Sequence, residues 1–321
     1  MNEHFKLATV SSAGSPPFVA LSLGQSVIAL NPALVHFSAA GRARRRLQVA
    51  GMLELLADWE ANFDLLQELT GFLRAEGLQD ERWRQAVSTA DRLHFHAPLQ
   101  PPTMIYAAVN YPRPGRASRA ELASGSRPLM FQKSSNCITG PYDDIVKPAD
   151  CEQVDWEVEL AVVMGTRTRE VAAERALDNV AGYLVANDVT VRDFRKAGEK
   201  VSIPGPDWFG SKCHQSFAPL GPWLVPRAFV PNCHDLHLSL TVNGETRQDA
   251  NSGEMIFRTE ELIAHVAAQF TLEPGDLIST GTPNGIGMQS GHFLKVGDVV
   301  EATIEGLGTQ RNRVVAPARA R

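Results

Sequence analysis

Three carboxylates stand at alternate positions in the stretch Val154-Asp155-Trp156-Glu157-Val158-Glu159-Leu160. Side chains of a β-strand alternate between its two faces. On a strand, Asp155, Glu157 and Glu159 would share one face while Trp156, Val158 and Leu160 turn into a core. Acids crowded on one face repel one another unless something positive lies between them. A hard divalent cation held by oxygen ligands, Mg²⁺ or Mn²⁺, would resolve that repulsion. The spacing alone equally allows an acidic, solvent-facing strand with Lys or Arg neighbours. A second run, Val180 to Ala186, has the texture of a buried strand and ends in Asn187-Asp188, followed by Arg192-Asp193. An acid at the end of such a strand can give a third oxygen ligand, with waters completing the shell. Taken alone, Asp188 suits a turn or a helix N-cap just as well.

A glycine-rich stretch, Gly281-Thr282-Pro283-Asn284-Gly285-Ile286-Gly287, follows Gly275-Asp276-Leu277-Ile278-Ser279-Thr280. Glycines let backbone N–H groups approach a small anion, and a tight turn without a ligand is the alternative. A nucleotide-binding loop is excluded, because Gln289-Ser290-Gly291-His292 does not read as a helix opening and no Lys-Ser/Thr pair follows the glycines.

The elements that must carry these residues read as two units. In residues 1–97, Phe5–Val10 and Phe18–Leu30 are strand-like runs broken by Gly14, Pro16, Pro17 and Gly24, a hairpin-like start. Met52, Leu55, Leu56, Trp59, Phe63, Leu66 and Leu73 recur at three- and four-residue steps. That is one face of a long helix, with Gly71 and Gly77 as its stops. Arg42, Arg44, Arg45 and Arg46 read as a solvated or salt-bridged loop. Three prolines in Pro98-Leu99-Gln100-Pro101-Pro102 mark a linker.

Residues 98–321 change to short strands, at Met104–Val109, Val158–Met164, Ala181–Ala186, Leu236–Val242, Leu277–Thr280 and Val299–Ile304, with helices only around Ala172–Leu177 and Thr259–Gln269. Such a pattern predicts a β-rich, rolled or barrel-like domain. The charge balance of 31 Lys plus Arg against 36 Asp plus Glu argues against nucleic acid or anionic lipid as partner. No apolar run approaches the ~20 residues a bilayer needs. The opening Met1-Asn2-Glu3-His4 lacks a basic segment leading into an apolar core, so no secretory signal is read there. Cys137, Cys151, Cys213 and Cys233 are scattered, the usage of a reducing compartment, and a cytoplasmic location is expected.

Ordered motifs from about Pro102 to Val314 resemble the fumarylacetoacetate hydrolase family. They are Asn110-Tyr111; Asp155 through Leu160; Asn187-Asp188-Val189-Thr190 with Arg192-Asp193; Gly210-Ser211-Lys212 leading to Phe217-Ala218-Pro219-Leu220-Gly221-Pro222-Trp223; Val242-Asn243-Gly244-Glu245; Met255-Ile256-Phe257; and Pro274-Gly275-Asp276 through Gly281-Thr282-Pro283. The resemblance implies an α+β fold, a mixed β-roll catalytic domain (98–321) behind a smaller α/β N-terminal domain (1–97), and a homodimer. It implies Mg²⁺ or Mn²⁺ on Glu157, Glu159 and Asp188, with Lys212 catalytic beside the metal. Thr282 would help to hold the substrate carboxylate, with Asn110, Tyr111, Lys133 and Gly281 as further substrate contacts. The substrate would be a small 2-oxo or β-diketo acid from catabolism of aromatic or related compounds. The reaction would be C–C hydrolysis, decarboxylation or isomerisation. A ligand-binding protein of the family with lost or altered activity is the alternative.

This chain departs from the family where hydrolytic members carry a water-activating His and Glu in a lid, since Pro114 and Ala117 fall at those places. Arg113, Arg116, Arg119 and Arg127 suit gripping a carboxylate, or an ordinary solvated loop. Arg195 and Gln215 replace a family Gln and Asp. On a strand, His214 would face the same side as Lys212 and could serve as a replacement base. Weak hydrolysis is therefore expected, with relatively stronger decarboxylation or isomerisation.

Overall fold

The computed structural model describes residues 4–76, 78, 83, 86–113, 118–121, 125–193 and 207–318. Its centre is a six-stranded sheet in the order Val225–Pro226, Val180–Asn187, Val158–Met164, Leu277–Ser279, Met104–Ala108 and Leu129–Gln132. Val158–Met164 runs antiparallel to both neighbours, whereas Leu277–Ser279 and Met104–Ala108 run parallel. Every residue of Val158–Met164 and Val180–Asn187 is buried. That is why these strands read as continuous apolar runs: both faces of the sheet are covered.

The two faces have different covers. Val158, Leu160, Val162 and Met164 pack with Leu238, Leu240, Val300 and Ala302 of a five-stranded sheet ordered Glu245–Asn251, His237–Val242, Val299–Ile304, Gly308–Val315 and Ile145–Val146. Ala161 and Val163 on the other face pack with the N-terminal residues Leu55, Leu56, Leu66, Leu69 and Leu73. The N-terminal sheet, ordered Val87–Thr89, Ser26–Ala29, Phe18–Leu23, Lys6–Ser11 and His94–His96, is antiparallel throughout. Its strands lie within residues 6–96, yet their core is continuous with that of the central sheet. The fold is of the α+β class expected.

Four expectations about local structure change. The long amphipathic helix is two, Met52–Leu56 and Trp59–Glu76. At the break the Asn62 amide donates to the Leu55 carbonyl at 2.7 Å and Arg45 pairs with Asp58 at 2.9 Å, so polar side chains take over where the helix stops. Gly71 lies inside the second helix, and Gly77 falls outside the described residues. The run Phe18–Leu30 turns at Gly24, in the left-handed region with φ 62°, and Leu30 opens an unforeseen helix, Leu30–Ala39. The proline-rich connector is packed: Pro98, Leu99 and Pro101 are buried and Thr9 donates to the Pro98 carbonyl at 2.6 Å. Finally, one helical turn, Gly287–Ser290, does follow the glycine cluster. Arg44 and Arg45 pair with Glu68 and Asp58, the salt-bridged form of that loop.

Candidate metal centre

Glu157, Glu159 and Asp188 converge at one end of the central sheet, on the face that carries Ala161. Register produces the convergence. Val158 pairs with Asn187 and Glu159 with Ala186, and the Asp188 N–H donates to the Glu157 carbonyl at 2.9 Å. The three acids are buried, and one ligand oxygen from each lies within 4.8 Å of the others.

Asp155 does not join them. The strand is interrupted at Trp156–Glu157, between the two-residue strand Val154–Asp155 and Val158–Met164. Side-chain amides take the freed backbone donors: Glu157 N–H gives to Asn187 Oδ1 at 2.9 Å and Val158 N–H to Gln248 Oε1 at 3.0 Å. Asp155 instead accepts from the N–H groups of Trp156, Gly287 and Met288 at 2.8, 2.6 and 3.0 Å, and from Arg192 Nε at 2.9 Å. The helix-opening N–H groups after the glycines thus serve a carboxylate of the protein itself. Trp156, Val158 and Leu160 do point into the core, as expected.

Three cations line one side of the cluster. Lys133 Nζ donates to Asp188 Oδ1 at 2.6 Å and to the carbonyls of Val189 and Phe217 at 3.2 and 2.6 Å. Lys212 Nζ bridges Glu157 Oε2 at 2.8 Å and Asp188 Oδ2 at 2.5 Å. Arg192 joins Glu157 to Asp155, at 2.5 and 2.8 Å. Burial alone would raise the Glu157 carboxyl, but Lys212 and Arg192 hold it at about 2. Burial would depress the Lys212 ammonium, yet Asp188 and Glu157 more than offset that and raise it.

Glu159 is the exception. Its Oε2 accepts from Ser279 Oγ at 2.5 Å and Gly281 N–H at 2.9 Å, and it has no ion pair among the described residues. Burial first, then the charges of Asp188 and Glu157, push its carboxyl well above the usual range. A buried carboxylate that faces two others without a cation of its own is a donor set suited to a hard divalent ion. The residues therefore fit Mg²⁺ or Mn²⁺.

The remaining expected site residues divide. The Gly281 N–H faces Glu159, and a Cβ at Gly281 would lie 2.8 Å from that of Asn110, so the chain here needs glycine, with φ 92°. Thr282 Oγ1 donates to the Val158 carbonyl at 2.9 Å and accepts from Gln248 at 2.8 Å. Asn110 is a brace: its amide gives to the Thr280 and Phe257 carbonyls at 2.8 and 2.9 Å, and its oxygen accepts from the Phe257 N–H at 2.7 Å. Both ends of its side-chain amide are engaged. Tyr111 is buried beside Glu159, and its hydroxyl has no partner among the described residues.

His214 is not on a strand. Lys212 ends the short helix Trp208–Lys212, and His214 Nε2 lies 2.8 Å from the Gly210 carbonyl, turned back onto that helix. Gln215 is exposed. Arg119 is spent on Glu261, at 2.6 Å, and the Ile256 carbonyl, at 2.7 Å, which answers the grip reading for that residue. Pro114, Arg116, Ala117 and Arg195 lie outside the described residues. Sequence reasoning gave no role to Arg192 as the link between Glu157 and Asp155, nor to Asn187, Gln248 and Ser279. The signals for Arg192 were its place four residues after Asp188 and its part in the Arg192-Asp193 motif.

Comparison with known proteins agrees with this architecture. Residues 103–315 match the family described as fumarylacetoacetate (FAA) hydrolase, C-terminal. The chain belongs to that family. It is 41% identical over 224 residues, 69% of each chain, to oxaloacetate tautomerase FAHD2A, mitochondrial, of Bos taurus. It is 42% identical over 201 residues, 62% of this chain and 68% of the other, to 2,4-didehydro-3-deoxy-L-rhamnonate hydrolase of Sphingomonas sp. strain SKA58. Maleylpyruvate hydrolase from Sphingobium sp. SYK-6, solved with manganese(II) and pyruvate, superposes with a TM-score of 0.70 at 26% identity, covering 98% of this chain and all of that one. These relatives are enzymes of oxo acids. Among the described residues no helix is long and apolar enough to cross a membrane.

Proposed function

We propose that this protein is a divalent-metal-dependent enzyme that forms and protonates the enolate of a small 2-oxo or β-diketo acid, with tautomerisation or isomerisation favoured over hydrolysis. The carrying observation is the buried triad Glu157, Glu159 and Asp188, flanked by ammonium groups, with Glu159 lacking a cation among the described residues. Glu157, Glu159 and Asp188 would hold Mg²⁺ or Mn²⁺, and the ion when bound supplies Lewis acidity to a carbonyl oxygen that becomes negative. Lys212 holds its protons at Nζ; two of them go to Glu157 and Asp188, and the third is available to an oxyanion. Lys133 has three acceptors for three protons and keeps Asp188 in place rather than meeting the substrate. Tyr111 is the proposed contact for the substrate carboxylate, since the Thr282 hydroxyl is taken by Val158 and Gln248.

Enolate chemistry needs no activated water, and the expected lid places Pro114 and Ala117, neither of which accepts a proton, where hydrolytic members carry His and Glu. The 41% identity to an oxaloacetate tautomerase supports the same choice. Hydrolysis is the second reading, supported by the 42% identity to the rhamnonate hydrolase. Decarboxylation of oxaloacetate, aromatic catabolism as the source of substrate, and a homodimer stay within the proposal. All four cysteines are free, which fits a reducing compartment, whether cytoplasm or the interior of an organelle like the one in the bovine relative's name. The test is to follow enol absorbance of oxaloacetate and of acylpyruvates with Mn²⁺ present. Metal-dependent loss of the enol without release of a cleavage product supports the proposal. Rapid cleavage of acylpyruvate with no effect on oxaloacetate would reverse the order of the two readings.

A further inference from the structure

Beneath the two lysines lies an aromatic stack that the proposed chemistry does not use. Tyr106 and Phe131 are directly opposed on neighbouring antiparallel strands, with ring centroids 5.6 Å apart and planes 27° apart. Phe131 stacks in turn on Trp208, at 4.6 Å and 8°. Lys133 Nζ sits 5.5 Å from the centroid of Tyr106, and Lys212 Nζ sits 5.3 Å from that of Phe131. Both distances fall within the reach at which the negative face of a ring attracts an ammonium, an attraction that grows when water is excluded. Lys133 and Lys212 are both buried.

The stack also fixes where Lys212 comes from. Trp208 and Lys212 are the first and last residues of a five-residue helix, and the i,i+4 spacing puts them on one face. Phe131 therefore holds that helix at two points, by stacking on Trp208 and by offering its face to Lys212. So short a helix has little stability of its own and needs an external anchor. Lys133 is already saturated by three acceptors, while Lys212 has two, so the ring matters more for Lys212.

We infer that Tyr106, Phe131 and Trp208 form an aromatic floor on which the Lys133 and Lys212 ammonium groups are set, and that Phe131 is a positioning residue for Lys212. The role of Lys212 in turnover rests on the function proposed above, but its placement by Phe131 does not. The Tyr106 hydroxyl has no partner among the described residues, so its contribution is the ring.

The experiment uses the full chain and three variants, Phe131→Leu, Phe131→Tyr and Tyr106→Phe, with two readouts. The first is kinetics on oxaloacetate at saturating Mn²⁺. Phe131→Leu should lower kcat at least tenfold with KM within threefold of wild type, and Phe131→Tyr, which keeps the ring face, should recover to within threefold. Tyr106→Phe should stay within twofold. The second readout needs no turnover: labelling by an amine-selective reagent, followed by mass spectrometry. Lys212 should label several-fold faster in Phe131→Leu while exposed Lys295 and buried Lys147 label as in wild type. Should Phe131→Leu fail to fold, Trp208→Leu, at a half-buried position, should shift both readouts in the same direction. Unchanged Lys212 labelling in a folded leucine variant overturns the inference, and so does a loss that Phe131→Tyr fails to restore. A wild-type protein inert toward every 2-oxo acid, but with the labelling pattern expected, would sink the proposed function and leave the positioning role standing.

Discussion

The two sides of the carboxylate cluster are built differently. Glu157 and Glu159 are two residues apart and both buried, yet among the described residues Glu157 pairs with Lys212 and Arg192 while Glu159 accepts from a hydroxyl and a backbone N–H. One carboxyl is held at about 2 and the other is pushed well above the carboxylate range. Of the three acids, Glu159 alone lacks an ion pair among the described residues. The cation-rich side is a finished network in which each acid has its partner. The Glu159 side holds a carboxyl whose ionisation burial and its acidic neighbours oppose, and a bound metal would favour its charged form.

The largest expected effect removes both sides at once. Glu157→Gln with Glu159→Gln should abolish Mn²⁺ binding measured by calorimetry, together with the thermal stabilisation that metal gives the parent. Ligand at 100 times its dissociation constant contributes about 2.7 kcal/mol to the folded state, so this stabilisation is readily measured. Affinity equal to wild type in the double variant would show that the ion binds elsewhere. Next in size is Lys212→Met. Removing a donor aimed at a developing oxyanion costs about 10²–10³ in kcat. Metal affinity should hold or improve, because the ammonium that bridges Glu157 and Asp188 is gone. A variant that loses metal but turns over normally when saturated would mean that Lys212 belongs to the network alone.

The single variants separate the two sides most sharply, and they do so without metal. Glu157→Gln takes one of two carboxylate partners from buried Lys212 and from half-buried Arg192, which keep Asp188 and Asp155, so the loss should approach the lower end of the about 3–5 kcal/mol that breaking a buried pair costs. Glu159→Gln replaces a carboxyl whose ionisation burial and its acidic neighbours already oppose and which has no ion pair among the described residues, and the new amide oxygen can still accept from Ser279 and Gly281. It should be neutral or stabilising in chemical denaturation of metal-free protein. Equal losses for the two variants would erase the distinction on which the proposed site rests.

How much of this was legible in the sequence follows from the range of each interaction. Alternation and the end of the neighbouring strand pointed to Glu157, Glu159 and Asp188, and they meet although Glu157 lies in the interruption, because the antiparallel register pairs Val158 with Asn187 and Glu159 with Ala186. The same alternation failed for Asp155. The interruption at Trp156–Glu157 depends on Asn187 and Gln248, 30 and 90 residues away, whose amides intercept the ladder. The break at Ala57–Asp58 is the same kind of event, set by Asn62 and Arg45 rather than by the apolar repeat. Lys133 could be named as a candidate, but its three acceptors lie 55, 56 and 84 residues away along the chain and leave no trace in composition. Single-turn helices such as Gly287–Ser290 are too short to carry a period, and what holds that one is Asp155 at its start.

The smallest expected effect belongs to His214, and it separates a base from a bystander beside the cation-rich side. A histidine that moved the substrate proton would contribute about 10²–10⁴ in rate. Its Nε2 lies 2.8 Å from the Gly210 carbonyl, so that nitrogen carries its hydrogen toward the backbone, and its ring packs against Phe217 at 4.9 Å. Only Nδ1 is left to accept a proton. What the ring contributes is a tie across the end of the Trp208–Lys212 helix, and one such hydrogen bond is worth about 0.5–1.5 kcal/mol. His214→Ala should lower the melting temperature slightly and leave kcat on oxaloacetate and on acylpyruvate within about threefold of wild type. If the tie also helps to aim Lys212, both rates will fall together by that small factor, because one ammonium serves either reaction. A fall of tenfold or more confined to acylpyruvate hydrolysis would instead place His214 at the attacking water and return hydrolysis to first place.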